Sequence, residues 1–170
     1  MTVSIPLLST RRPASRAAAT PRPRRILAVA SGGGHWVQLM RLRPAFAQAE
    51  VHYATVDRSA AEIVAPAPVH LYPDANKDTP LRLALAALTL AVIVLRVRPD
   101  VVVSTGAAGG YLAIRFARLL GARTLFIDSI ANARELSVSA RLSQKVADLV
   151  LSQWPAVARA TGAAYRGAVL

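Results

Sequence analysis

Past residue 25 the chain alternates short, wholly apolar runs with longer stretches of mixed pattern. Ile26–Ala30 (ILAVA) is apolar throughout, as a strand buried on both faces of a parallel sheet must be. Val51–Val56 and, more weakly, His70–Tyr72 predict a second and a third strand. Asp100–Ser104 (DVVVS), Arg123–Asp128 (RTLFID) and Leu149–Ser152 predict three more. Helices are predicted between them. Trp36–Met40 opens one, which Pro44 restarts as a first-turn residue. Pro80–Arg96 forms the longest, Tyr111–Leu120 is closed by Gly121, and Ser139–Ala147 is the last. Strands and helices alternating at these lengths predict an α/β fold, one doubly wound parallel sheet within residues 26–170.

Ligands of such sheets sit beyond the carboxyl ends of the strands, near the point where the connections diverge. Three segments with unusual chemistry fall there. The first is Ser31-Gly32-Gly33-Gly34-His35. Successive glycines let backbone N–H groups approach a ligand, and the helix that follows adds a dipole favourable to an anion. Phosphate or diphosphate is the natural guest, with His35 as a donor; a tight turn that binds nothing is the plain alternative. The dinucleotide pattern GxGxxG fails, because Val37 stands where its third glycine belongs, and no GxxxxGK[ST] exists.

Thr105-Gly106-Ala107-Ala108-Gly109-Gly110-Tyr111 repeats the idea after the most apolar strand. Two glycine loops at one sheet edge would pinch a ligand between them; close helix–strand packing alone would also demand small residues. The third segment is Asp128-Ser129-Ile130-Ala131-Asn132. A carboxylate at a strand end suits a general base that deprotonates a sugar hydroxyl, and suits equally a cap on the next turn. Asp74, Asn76, Lys77 and Asp78 form a polar loop that would flank the same cleft, and Asp57 reads as a solvated loop acid.

Leu83–Leu95 (LALAALTLAVIVL) carries no charge and only Thr89 is polar. At 1.5 Å per residue it covers about 20 Å, short of the roughly 30 Å hydrocarbon core, so it is not a simple membrane span. A helix apolar all round still needs cover on every side, and a sheet covers one. Leu83, Leu85, Leu88, Leu90, Ile93 and Leu95 are therefore expected to meet a bilayer surface or a partner, with Arg82, Arg96 and Arg98 reaching headgroups; burial within the domain is the alternative.

Charge sharpens the picture. The formal net charge is +12, and residues 1–25 supply six of it through Arg11, Arg12, Arg16, Arg22, Arg24 and Arg25, with no acid. With Pro6, Pro13, Pro21 and Pro23 and a run of alanine, this segment is expected to be a disordered basic arm, either solvated or attached to anionic lipid. Its apolar run Val3–Leu8 is too brief for a secretory signal and precedes the arginines instead of following them. The chain has no cysteine, which excludes disulfides, thiolate metal sites and a thiol nucleophile, and His35, His52 and His70 show no metal-ligand spacing. Half the charge lies in the arm, aromatics are 5% and no recognition helix is evident, which argues against nucleic acid as a partner.

SGGGHWVQLMRLRPAF, DANKDTP, RPDVVVSTGAAGGYLAIRFARLLGARTLFIDSIAN and ADLVLSQWP together resemble the Alg14-like proteins, most closely their bacterial exopolysaccharide-biosynthesis members. The likeness covers nearly everything after residue 25. It implies a Rossmann-like domain equivalent to the N-terminal, acceptor-side half of a GT-B glycosyltransferase. It further implies a separate Alg13-like subunit that binds the UDP-sugar, no cofactor on this chain, and a polyprenyl-diphosphate-linked acceptor in exopolysaccharide or lipid-linked oligosaccharide biosynthesis. The expected location is peripheral, on the cytoplasmic face of the inner membrane. The half-domain is also similar to the acceptor side of the MurG transferase. Carried over, the diphosphate-holding positions are Gly33, Gly34 and His35, then Gly109, Gly110 and Tyr111, while the strand-end acid falls near Asp128 in a different local sequence; Ser31, Gly32, Thr105 and Gly106 of the same two loops complete the candidate diphosphate site. Asp128 and His35 are the catalytic candidates, and Gln153 and Trp154 offer partner contacts. Two rival readings are a non-catalytic anchor that recruits the donor-binding subunit and a stand-alone nucleotide-binding Rossmann protein.

Overall fold

Continuous apolar runs become central strands because only a parallel sheet covered on both faces leaves no strand residue in water. In the computed structural model, which describes residues 22–76 and 78–169, six such strands lie side by side. They are β1 (Arg25–Val29), β2 (Glu50–Thr55), β3 (Val69–Leu71), β4 (Val101–Ser104), β5 (Arg123–Ile127) and β6 (Leu149–Leu151). Their order is β3-β2-β1-β4-β5-β6, and every pairing is parallel. The helices are α1 (Gly34–Arg41), α2 (Ala60–Val64), α3 (Pro80–Val97), α4 (Ala107–Leu119), α5 (Val138–Ser143) and α6 (Pro155–Thr161), with a 3-10 turn at Arg43–Phe46.

Alternate strand residues feed two cores. Leu27, Val29, Ala54, Val102, Phe126 and Val150 face α3, α4, α5 and α6. Ile26, Ala28, Tyr53, Val103 and Ile127 face α1, the 3-10 turn and α2, where Trp36 meets Tyr53 edge to face at 5.8 Å. The doubly wound sheet predicted from the apolar runs is the one observed. Pro44 opens the 3-10 turn, as its fixed φ favours. The short helices α2 and α6 were not anticipated; each has only five to seven residues, too few for a periodic signal.

The basic arm lies, as far as residue 21, outside the described residues. Its last residues belong to the domain instead. Arg25 opens β1, and Arg22 makes a two-pronged ion pair with Asp100 at 2.7 and 2.9 Å. Asp100 also accepts the Arg25 backbone N–H at 2.7 Å, and this bond and Arg22 hold its carboxyl below the ordinary carboxylate range.

α3 has two apolar faces with different fates. Ala86, Leu90, Ile93, Val94 and Val97 are buried in the core. Leu90 and Ile93 are therefore core residues and not surface contacts, because the sheet claims that side of the helix. Leu81, Leu85, Leu88, Val92 and Leu95 form a stripe at alternating spacings of four and three, between 37% and 86% exposed. Leu83 is half-buried beside them. The helix has 18 residues, long and apolar enough by length and composition to enter a membrane, yet its inner face is built into the domain.

Two neighbouring leucines test this division. Leu90→Ala should cost about 2–5 kcal/mol in chemical denaturation, as for a buried leucine, whereas Leu88→Ala should leave the midpoint nearly unchanged.

Candidate functional site

The connections leaving β1 and β4 run to opposite faces of the sheet, so the two adjacent strands part above their carboxyl ends. Ser31–Gly33 leads from β1 into α1, with Gly33 at φ 62°, a value that costs glycine nothing. No side chain caps α1, so its first-turn N–H groups lack partners within the helix. Gly33 and Gly34 are exposed there.

Across the gap stands Thr105, and two reciprocal hydrogen bonds join the turns. The Thr105 hydroxyl donates to the His35 carbonyl at 2.7 Å, and His35 Nδ1 donates to the Thr105 carbonyl at 2.9 Å. Because a carbonyl only accepts, the hydrogen on Nδ1 is fixed, and neutral His35 keeps its lone pair on Nε2. Gly106 lies at φ 140°, and a Cβ there would run into the His35 ring. Ser104 Oγ accepts the Gly106 N–H at 3.2 Å, which closes the turn. Ala107, a non-glycine residue at φ 63°, stores backbone strain at the same place.

The structure brings Ser31–His35, Thr105 and Gly106 together. It moves Gly109, Gly110 and Tyr111 out of the expected loop, because α4 starts at Ala107. Gly109 and Gly110 are buried in its first turns, where a Cβ would meet the Tyr72 ring in one case and Ser104 in the other. Close packing is the physical reason for both. Tyr111 is partly exposed on α4 and accepts from Arg115 at 3.2 Å.

Asp128 does not open into the cleft. It is buried, Oδ1 accepts from Asn132 Nδ2 and Oδ2 from the Ser137 N–H, both at 2.9 Å. Its carboxylate organises the loop that follows β5, the capping alternative to the base. Gln153 is likewise buried, with Nε2 donating to the Asp128 carbonyl at 2.8 Å and Oε1 accepting from the Val169 N–H at 2.7 Å. It ties that loop to the C-terminal segment and is closed to a partner. Trp154 is partly exposed, and its indole donates to the Ile130 carbonyl at 2.7 Å. Asp57 is the exposed loop acid expected, bonded to the Ser59 N–H and hydroxyl. Asp74, Asn76 and Asp78 are exposed, and Asn76 caps the Asp78 N–H; Lys77 lies outside the described residues.

Sequence reasoning missed Tyr72 and Gln38. Tyr72 is buried against Gly109 with an unpartnered hydroxyl, and burial raises its pKa far above the ordinary phenol value. Gln38, one turn after His35, is buried with both amide atoms unpartnered. The only signal for Gln38 was a polar residue on the helix face that also carries Leu39. No group of three or more metal-ligating side chains occurs among the described residues. A hollow of about 650 Å3 opens beside the amino end of β2 between the 3-10 turn and Pro66–Pro68, and none of the switch-point residues lines it.

The sheet order and the paired turns define a Rossmann-like α/β domain that matches the N-terminal halves of GT-B glycosyltransferases. The family model for oligosaccharide biosynthesis proteins of the Alg14-like kind matches residues 75–169, and the chain belongs to that family. No curated protein sequence matches it. Among solved structures, MurG from Acinetobacter baumannii is 16% identical at a TM-score of 0.64, with 78% of this chain and 42% of that one covered. UDP-N-acetylglucosamine 2-epimerase from Rickettsia bellii is 12% identical at 0.66, covering 86% and 45%. HepE of Anabaena, solved with UDP and glucose, is 15% identical at 0.56, covering 85% and 44%. The chain thus spans less than half the length of each.

Gly106→Ala should force the His35 ring from its place and destabilise the domain by about 1–3 kcal/mol, as overpacking does; a thermal melt and the His35 ring resonances read the two effects. Asp128→Ala should cost a similar amount, about 1–3 kcal/mol, because it removes the acceptor of the partly buried Ser137 N–H and of the Asn132 amide.

Proposed function

We propose that this chain is the acceptor-binding, membrane-associated subunit of a two-component, UDP-sugar-dependent glycosyltransferase. Its acceptor is a polyprenyl-diphosphate-linked sugar, used in exopolysaccharide or lipid-linked oligosaccharide biosynthesis at the cytoplasmic membrane face. The donor sugar belongs to a separate Alg13-like subunit. Family membership supports a glycosyltransferase-related role, and the matched part of each solved structure is less than half its length, which is in keeping with a donor site contributed by other residues than these. An open single sheet edge has nothing to close over a sugar nucleotide and exclude water.

One observation carries the chemistry: the fixed His35 tautomer beside the open first turn of α1. The backbone N–H groups of Gly33 and Gly34, with the helix dipole, hold the acceptor diphosphate. His35 cannot offer Nδ1, which already donates to Thr105. Its Nε2 lone pair instead takes the proton of the acceptor hydroxyl as that oxygen attacks the anomeric carbon and UDP departs. His35 is thus the base in this reading, and Asp128 is a positioning residue of the neighbouring loop. The outer stripe of α3, with Arg82, Arg96 and Arg98 beside it, rests on the membrane surface and holds the open site near a lipid-borne acceptor.

In a complex reconstituted with the donor-binding subunit, His35→Gln should lower transfer roughly 10²–10⁴-fold, the contribution of a general base. Co-purification of the two chains should be unchanged. Full transfer by that variant, or turnover by this chain alone, would contradict the proposal.

A further inference from the structure

α3 and the edge strand β3 do not close on each other. Between them runs a groove of about 590 Å3, walled by His70 and Leu71 on the strand and by Leu88, Val92 and Arg96 on the helix. Leu88 and Val92 also belong to the exposed stripe, so the groove opens directly onto it.

Its polar wall is built from a hydrogen-bonded chain. His70 meets His52 of β2 with the ring centroids 5.4 Å apart and the planes 11° from parallel. His52 Nδ1 lies 3.1 Å from His70 Nε2, and His52 Nε2 lies 3.1 Å from Glu50 Oε1. Glu50 is in turn paired with Arg25 of β1 at 3.0 Å. A carboxylate only accepts, so His52 Nε2 carries a hydrogen. The contact between the rings holds one hydrogen, and His70 Nδ1 is the end of the chain. One proton added at that end charges the pair without breaking either bond. Burial, with His52 and Arg96 nearby, depresses the His70 pKa below its ordinary value, so in the free protein that added proton is absent near neutral pH. Glu50 and Arg25 flank His52 from β2 and β1, and Arg96 faces His70 from α3; the groove lining itself contains no acid.

We propose that this groove is a headgroup site: the phosphate of an anionic phospholipid accepts from Arg96 and His70 while its acyl chains lie against the Leu88–Val92 stripe. The site rests on the membrane-surface reading of α3 and adds what that surface recognises. A phosphate supplies the counter-charge that the lining lacks, and seating it draws one proton onto His70. Lipid binding is therefore linked to proton uptake and strengthens on acidification.

The test is co-sedimentation of the full chain with phosphatidylcholine vesicles that contain or lack phosphatidylglycerol. The wild type should bind the anionic vesicles about fivefold more tightly at about pH 5.5 than at about pH 7.5, the effect of one added charge near the surface. His70→Gln should lose that pH gain, and Arg96→Gln should weaken binding about fivefold at both pH values. Arg159→Gln, on α6 at the opposite edge of the sheet from β3, controls for net charge and should stay within about twofold. If Leu85→Ser abolishes binding while His70→Gln and Arg96→Gln match the wild type, the membrane reading stands and the headgroup site is overturned. If the wild type binds neither vesicle, both fall.

Discussion

The reciprocal bonds between His35 and Thr105 are the hinge on which the site depends. Adjacent parallel strands must send their connections to opposite faces at the switch point, which opens a gap above β1 and β4. The two hydrogen bonds span that gap and set the orientation of the imidazole. Everything nearby accommodates them. Gly106 has no Cβ because the ring occupies its place, Ala107 is held at positive φ, and Gly110 gives way to Ser104, whose hydroxyl closes the turn. A histidine in this clasp has Nδ1 committed to the Thr105 carbonyl, which leaves Nε2 as the nitrogen without the hydrogen in the neutral ring.

A second constraint shapes the other end of the sheet. α3 is apolar on both sides because it serves two environments, the core through Leu90 and Val94 and the outside through Leu85 and Leu88. A domain that stood alone in water would place polar residues along the second face. Its exposed stripe, the arginines at its end and the histidine groove beside it form one continuous surface. That surface and the open turns belong to one packed domain, so in the proposed membrane placement the orientation of the stripe also sets the orientation of the turns.

The first glycine loop was legible as the turn from β1 into α1, because three consecutive glycines between an apolar run and a helix are read locally. The second was legible only in part. Thr105 and Gly106 are at the turn, but Gly109 and Gly110 are small because Tyr72 and Ser104 crowd α4 from distant parts of the chain. Sequence spacing cannot distinguish a glycine that admits a ligand from one that admits a neighbouring helix. Asp128 and Gln153 show the same limit. Each sits at a strand end where functional groups gather, and each is consumed by backbone partners nine to twenty-five residues away. Tyr72 had no local pattern at all, and Gln38 only its place beside Leu39 on one helix face.

By itself the sequence determined the class of fold, since wholly apolar runs separated by helical lengths have no stable arrangement other than a covered parallel sheet. It also determined that a glycine turn would stand at the switch point, because glycine runs are read locally. Only the tertiary structure decided which nitrogen of His35 is free, which glycines face the gap, which side of α3 is outer, and that His52 and His70 pair beside Arg96. These are pairings between residues far apart in the chain, fixed by the strand register and by which face each helix covers. Local propensity carries no information about such pairings until the sheet has formed.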